Sequence, residues 1–179
     1  KDTPGFIANR IGTFWIQAAV VEAFKGNVTV EQADAAIGRA LGIPKTGIFG
    51  LMDLVGIDLM PLVSKSLYDA VPPDDAYRGV YGEPELILKM IAEGSIGRKG
   101  KGGFYRLNKE GGKPVKEVID LTTGSYSAAL RQTPDSVRAA GSSPRALFEH
   151  GDAASAFAWQ VMSSTLVYAA DLIPEIADR

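Results

Sequence analysis

The sequence predicts a mainly α fold, a helical bundle carrying one small β-hairpin near residues 104–121. Three observations predict it. Apolar residues recur at helical spacing over the first 24 residues and again after residue 153. Between these stretches, glycine and proline divide the chain into short apolar runs of helix length. Strand character is confined to Phe104–Leu107 and Val115–Leu121, just after a glycine-rich loop.

In the first helix Thr3 is placed to act as N-cap, and Pro4 suits the first helical position, where a missing N–H costs nothing. Ile7, Ile11, Phe14, Ala18 and Val21 form an apolar stripe, which Trp15, Ala19 and Val20 widen to more than one buried side. Lys25-Gly26-Asn27 ends the helix. Thr29-Val30-Glu31-Gln32 is a capping box that opens a second helix to about Leu41, before Gly42, and the pair reads as a helical hairpin. Ile43 to Gly47 is an irregular turn, followed by a short helix from Ile48 to Val55 that Gly56 breaks. Asp58 can cap a helix running to about Ala70. Val71 to Gly82, with Pro72-Pro73-Asp74-Asp75, reads as loop, and Pro84 to Glu93 as helix again. The hairpin follows the loop Gly97–Gly103. Residues 122–152, rich in Ser, Thr, Pro, Gly and Ala, read as a loosely packed linker with two short helices near Ser136 and Ala146. A final amphipathic helix runs from about Ala153 to Leu172.

Composition narrows the function. In 179 residues, 46% hydrophobic and 22% charged, there is room for one real core and the surface of a globular protein. A net charge of −2 with mixed signs argues against nucleic acid as a partner. The lack of cysteine excludes disulfides, thiolate catalysis and cysteine-ligated zinc, and fits a reducing cytoplasm. No run approaches the roughly 20 apolar residues that span a bilayer, so membrane insertion is not expected. Lys1 is not an initiator Met, and Glu175 to Arg179 carry no stop signal; both ends read as cuts through a longer polypeptide.

Self-sufficient chemistry is hard to find. The single histidine, His150, sits in the Ser/Gly-rich stretch between Glu149 and Gly151 and reads as a solvated side chain. One His and no Cys exclude the usual transition-metal ligand sets, so no metal site is expected. Gly97-Arg98-Lys99-Gly100-Lys101-Gly102-Gly103 leads into a strand, whereas a P-loop or a dinucleotide turn leads into a helix. The loop therefore reads as a basic turn shaping the approach to Phe104-Tyr105, with a contact from Arg98 or Lys99 to an acidic ligand as the alternative. Asp53 and Asp58, five apart around Gly56, read as cap or turn residues, not a carboxylate pair. Asn9 is the odd residue: an amide near the start of an otherwise apolar helix, either satisfied locally or facing a ligand.

Three motifs, in order, carry a family resemblance. Lys1-Asp2-Thr3-Pro4-Gly5-Phe6-Ile7-Ala8-Asn9-Arg10 resembles the segment joining the two domains of 3-hydroxyacyl-CoA dehydrogenases. Pro44-Lys45-Thr46-Gly47-Ile48-Phe49-Gly50-Leu51-Met52-Asp53-Leu54-Val55-Gly56-Ile57-Asp58 resembles that family's Pro, Gly, Phe, Leu, Asp, Gly, Asp pattern. Gly97 to Tyr105 resembles its closing glycine-rich Phe-Tyr motif. The resemblance implies the helical C-terminal domain of an NAD-dependent (3S)-3-hydroxyacyl-CoA dehydrogenase of fatty-acid β-oxidation. It implies that NAD and the catalytic His–Glu pair belong to an NAD-binding domain of the same polypeptide, so that this chain is inactive alone. Asn9 matches the family asparagine that holds the catalytic histidine and the substrate oxygen. The implied partners are an acyl-CoA substrate, the NAD-binding domain and a second copy of the protein.

The expected division is a helical domain over 1–107, hairpin and linker over 108–152, and, over 153–179, the first helix of a truncated second helical copy. Phe157, Trp159, Met162, Leu166, Ala169 and Ala170 can be laid on Phe6, Ala8, Ile11, Trp15, Ala18 and Ala19, and Gln160 then stands at the position of Asn9. Two rival readings are a helical interaction or dimerisation module without catalytic role, and the helical domain of another β-hydroxyacid dehydrogenase.

Overall fold

The computed structural model describes residues 2–110, 112–130, 132–173 and 176. Residues 174, 175 and 177–179, the end of the expected second copy, lie outside the described residues. Within the described residues the fold is mainly helical, with the elements α1 (Ala8–Ala23), α2 (Val30–Ala36), a 3-10 turn (Arg39–Leu41), α3 (Phe49–Val55), α4 (Leu59–Ala70), α5 (Tyr77–Val80) and α6 (Glu85–Ala92). Then come β1 (Tyr105–Asn108), β2 (Val115–Ile119), β3 (Tyr126–Ala128), α7 (Asp135–Ala140), α8 (Pro144–Phe148) and α9 (Ala153–Asp171).

The first helix starts later than its sequence suggests. Gly5 and Phe6 both take positive φ, 78° and 50°, so no helix can run through them from a cap at Thr3. Helical geometry begins at Ala8 without a side-chain cap, and the Thr3 hydroxyl makes no hydrogen bond among the described residues. Gly26, with φ 83°, donates its N–H to the Ala23 carbonyl at 3.0 Å and turns the chain out of α1. The capping box is formed: Gln32 N–H donates to Thr29 Oγ1 at 3.2 Å, and Thr29 N–H to Gln32 Oε1 at 3.0 Å. α2 nevertheless stops at Ala36 and does not reach Leu41. Gly38 leaves helical geometry, with φ −148° and ψ −134°, and the chain continues as a single 3-10 turn.

Further corrections concern the later elements. Asp58 has helical φ/ψ and caps nothing; its carboxylate forms a 2.9 Å ion pair with Lys99 across the chain. The stretch expected as loop between Val71 and Gly82 contains the one-turn helix α5, whose Tyr77 is fully buried. The hairpin gains a third antiparallel strand, giving the order β1-β2-β3, because Val118 and Ile119 pair with Ser127 and Tyr126. The region expected to pack loosely does not. Both short helices form, Leu147 of α8 and Ala140 of α7 join the main core, and Ser136 is buried.

The main core gathers Val20 and Ala23 of α1, Ala33 and Ile37, Phe49 and Met52, Met90, Phe104, Leu147, and Phe157 and Val161 of α9. A smaller cluster joins Phe14 and Ala18 of α1 to Leu67, Val71, Tyr77, Tyr168 and Leu172. α1 thus contributes to both cores and packs against α9, with Phe14 stacked on Tyr168 and buried alanines on both helices: Ala18, Ala19 and Ala23 on one, Ala154 and Ala158 on the other. At the offset that lays Gln160 on Asn9, Val161, Thr165 and Tyr168 are buried as Arg10, Phe14 and Gln17 are, while other positions differ. Phe157 is buried where Phe6 is exposed, and Ala170 is exposed where Ala19 is buried. No helix among the described residues is long and apolar enough to cross a membrane.

Candidate functional site

The left-handed hook at Gly5-Phe6 decides where Asn9 points. A Cβ on Gly5 would lie 3.0 Å from the Arg10 backbone nitrogen, and the Gly5 carbonyl accepts that N–H at 3.2 Å. The chain is folded back onto the first turn of α1, and Asn9 stands exposed in that turn. It lines a groove of about 420 Å³ with Pro4, Gly5 and Thr13 on one side and Leu62, Val63, Ser66, Leu67 and Ala70 of α4 on the other. Its α4 wall offers exposed apolar side chains: Leu62 is 68% exposed and Val63 47%. An amide in an apolar groove open to one side is suited to orienting a ligand's polar atom, and its surround is suited to being covered by another body.

The residue after Asn9 points the opposite way. Arg10 is completely buried, a position a guanidinium tolerates only with its charge met. Its Nε donates to the Tyr168 hydroxyl of α9 at 2.6 Å, one Nη donates to the Pro4 carbonyl at 3.3 Å, and the other forms an ion pair with Asp75. The Tyr168 hydroxyl in turn donates to the second Asp75 carboxylate oxygen at 3.1 Å, and the Tyr168 ring stacks on Phe14 with centroids 4.1 Å apart. Burial alone would lower the Arg10 pKa, but its hydrogen bonds and charges from Tyr168 and Asp75 outweigh it and raise the value.

The other two motifs build supports, not reacting groups. Asp34 of α2 is buried and accepts the N–H groups of Phe49 and Gly50 at 2.7 and 3.0 Å, so it holds the start of α3. Its second oxygen also accepts the Tyr105 hydroxyl at 2.9 Å. Gly47 is required beside it, since a Cβ there would sit 2.4 Å from the Asp34 Cα. Asp53, expected from the sequence to be a cap or turn residue, is a buried clamp on the hairpin. It accepts the N–H groups of Phe104 and Tyr105 at 2.8 and 2.9 Å, and a Cβ on Gly103 would fall 1.9 Å from its oxygen. Burial pushes Asp34 up to about 7 and Asp53 up to about 6, against the lowering effect of these hydrogen bonds. Asp53 and Asp58 are not a pair. His150 lies before α9, its Nδ1 3.6 Å from the Asp152 carboxylate that caps that helix.

The glycine loop does not fit a dinucleotide. Much of its backbone is already bonded inside the protein: Gly97 N–H donates to Gly102 at 2.7 Å, Arg98 to Asp53 at 2.8 Å and Lys101 to Gly94 at 3.1 Å. It also opens into an antiparallel strand, so no helix N-terminus follows to receive a pyrophosphate. The side chains of Arg98 and Lys101 line a groove over Asp34, Asp53 and Tyr105, with Lys45, Lys109 and Lys116. Asn9 is thus set apart from the acidic supports. Sequence reasoning misses Asp34, Asp75 and Tyr168; the available signal is an acid amid the alanines of α2 and a tyrosine on the stripe of α9.

The fold and its three glycine-pinned motifs define a helical domain in which Asn9 stands exposed in a groove at the start of α1. The family described as "3-hydroxyacyl-CoA dehydrogenase, C-terminal domain" matches residues 5–107, and the chain belongs to it. A "Putative fatty acid oxidation complex trifunctional enzyme" of Rickettsia prowazekii (strain Madrid E) is 38% identical over 179 residues, 100% of this chain and 24% of that protein. A "Probable 3-hydroxyacyl-CoA dehydrogenase" of Bacillus subtilis (strain 168) is 35% identical over 184 residues, 99% of this chain and 23% of its own length. The mitochondrial hydroxyacyl-coenzyme A dehydrogenase of Homo sapiens is 33% identical over 106 residues, 59% of this chain and 32% of its own length. The chain thus spans about a quarter of the long relatives it matches from end to end. No solved structure matches it.

Proposed function

We propose that this chain is the substrate-side domain of an NAD-dependent (3S)-3-hydroxyacyl-CoA dehydrogenase of fatty-acid β-oxidation, working in the cytoplasm. The observation that carries the reading is Asn9, held exposed over an apolar groove by the Gly5-Phe6 hook. In this reading the groove closes over an acyl-CoA, and Asn9 orients both the substrate oxygen and the histidine that takes its proton. NAD, bound by the NAD-binding domain of the same polypeptide, supplies the hydride acceptor. What this chain adds is orientation and exclusion of water: the exposed Leu62 and Val63 share the groove with the amide and offer apolar surface that the second domain would cover.

The same reading takes α9, from Ala153, as the opening helix of a second helical copy, supported by the end-to-end match to long relatives. It makes the domain a dimer contact through its exposed apolar helices.

The test is an NADH assay with (3S)-3-hydroxybutyryl-CoA and NAD. The isolated chain is expected to give no NADH, and the polypeptide carrying both domains to turn over. Asn9→Ala in that polypeptide is expected to lower kcat by roughly 100-fold. Turnover by the isolated chain, or an unchanged kcat in Asn9→Ala, would refute the assignment.

A further inference from the structure

We infer that Tyr168 and Asp75 are positioning residues for Asn9, acting through Arg10. The inference rests on the proposed role of Asn9.

Asn9 and Arg10 are consecutive in the first turn of α1, one exposed and the other fully buried. The orientation of the first is therefore fixed by what anchors the second. At this end of the helix the usual local restraints are missing: α1 has no side-chain cap, and the chain enters it through two residues of positive φ. A helix start of that kind frays unless something else holds it. The holding is done by the Arg10 guanidinium, fixed on three sides by the Pro4 carbonyl, the Asp75 carboxylate and the Tyr168 hydroxyl. Because Pro4 also lines the Asn9 groove, the same guanidinium fixes the groove wall and the helix turn together.

Each contact is directional. The Tyr168 hydroxyl accepts from Arg10 at 2.6 Å and donates to Asp75 at 3.1 Å, so its single proton sets the order of the triad. Its ring is locked by the stack on Phe14, one turn further along α1, which leaves the hydroxyl no freedom to swing away. Asp75 is fixed in turn by the Tyr77 N–H at 2.8 Å. Tyr168 lies outside the residues 5–107 matched by the family, so the groove depends on a helix beyond that domain.

The experiment uses the polypeptide carrying both domains and compares Tyr168→Phe, Asn9→Ala and the double variant, reading kcat and KM separately. Tyr168→Phe keeps the ring and removes only the hydroxyl. It is expected to lower kcat by about 10-fold with KM unchanged, since a small misplacement of an orienting group acts on the reacting geometry. The double variant is expected to be no slower than Asn9→Ala alone, because Tyr168 acts only through that residue. If Asn9→Ala itself leaves kcat intact, the functional reading fails. If Asn9→Ala is slow while Tyr168→Phe keeps wild-type kcat, or the two losses multiply, the positioning inference alone falls. Should Tyr168→Phe lose its fold by near-UV circular dichroism, Asp75→Asn is assayed in the same cycle. Loss of fold in both would overturn the inference in favour of a purely scaffolding triad.

Discussion

The Tyr105 hydroxyl donates a 2.9 Å hydrogen bond to the Asp34 carboxylate, and with it the strand after the glycine loop is tied to the helix that holds the start of α3. Tyr105 also gives its backbone N–H to Asp53, so one residue is anchored to two buried acids from opposite ends.

Those two acids make stability fall as pH rises through the weakly acidic range. Burial raises Asp34 to about 7 and Asp53 to about 6, both above the ordinary 3.8. A raised acid binds its proton more tightly folded than unfolded, so its contribution is complete below about 4 and is lost as pH climbs through 6 to 7. The midpoint of urea unfolding is expected to fall between pH 5 and pH 7, and Asp34→Asn to flatten that slope. A midpoint rising with pH over this window would show that the two acids are held ionised.

The buried ion pair gives a larger effect. Arg10 and Asp75 have side chains 0% and 4% exposed. Asp75→Ala leaves the guanidinium buried without its counter-charge, and unfolding free energy is expected to drop by about 3–5 kcal/mol. A loss under about 1 kcal/mol would mean that water reaches Arg10 readily.

Glycine positions separate into two kinds. Gly103→Ala would drive a Cβ into the Asp53 carboxylate and is expected to cost at least about 3 kcal/mol. Gly12 lies inside α1, where an added Cβ would meet nothing within 4 Å, and Gly12→Ala is expected to stabilise by about 0.5–1 kcal/mol through helix propensity. Chemical denaturation of the two variants side by side checks both signs at once.

How much of this is legible in the sequence depends on range. The Thr29 capping box can be read because donor and acceptor lie three residues apart. Asp34 is harder to read: its partners Phe49, Gly50 and Tyr105 lie 15, 16 and 71 residues away, and the one local signal is an acid set among the alanines of a short helix. Asp53 looks like a turn residue for the same reason, since its true partners are the amides of Phe104 and Tyr105. The third strand, Tyr126–Ala128, has little strand propensity and exists by pairing with β2 and by the Tyr126 hydroxyl bond to the Gly103 carbonyl at 2.6 Å. The start of α1 is misleading because Thr3-Pro4 is a good local cap signal that the Gly5-Phe6 hook overrides. Asn9 stands out as a polar residue on an apolar helix, but its groove exists only through the placement of α4 beside it.

Exposed apolar faces on α4 and α9 add a prediction about association. Leu62, Val63, Leu166 and Val167 are each between 47% and 68% exposed. The isolated chain is expected to self-associate at micromolar concentration by sedimentation velocity, and Leu62→Lys with Leu166→Lys to return it to monomer. A monomer at all concentrations would leave these faces without a partner of their own kind.

The contact between Arg10 and Tyr168 joins residues 158 positions apart, and this sets a timetable. On a ribosome the first turn of α1 emerges long before α9 exists. Until synthesis reaches Tyr168, the guanidinium lacks one of its partners and Phe14 lacks the ring that stacks on it. Closing so long a loop is slow compared with forming the helices it joins. The groove beside Asn9 is therefore among the last parts of the domain to set, completed when α9 meets α1.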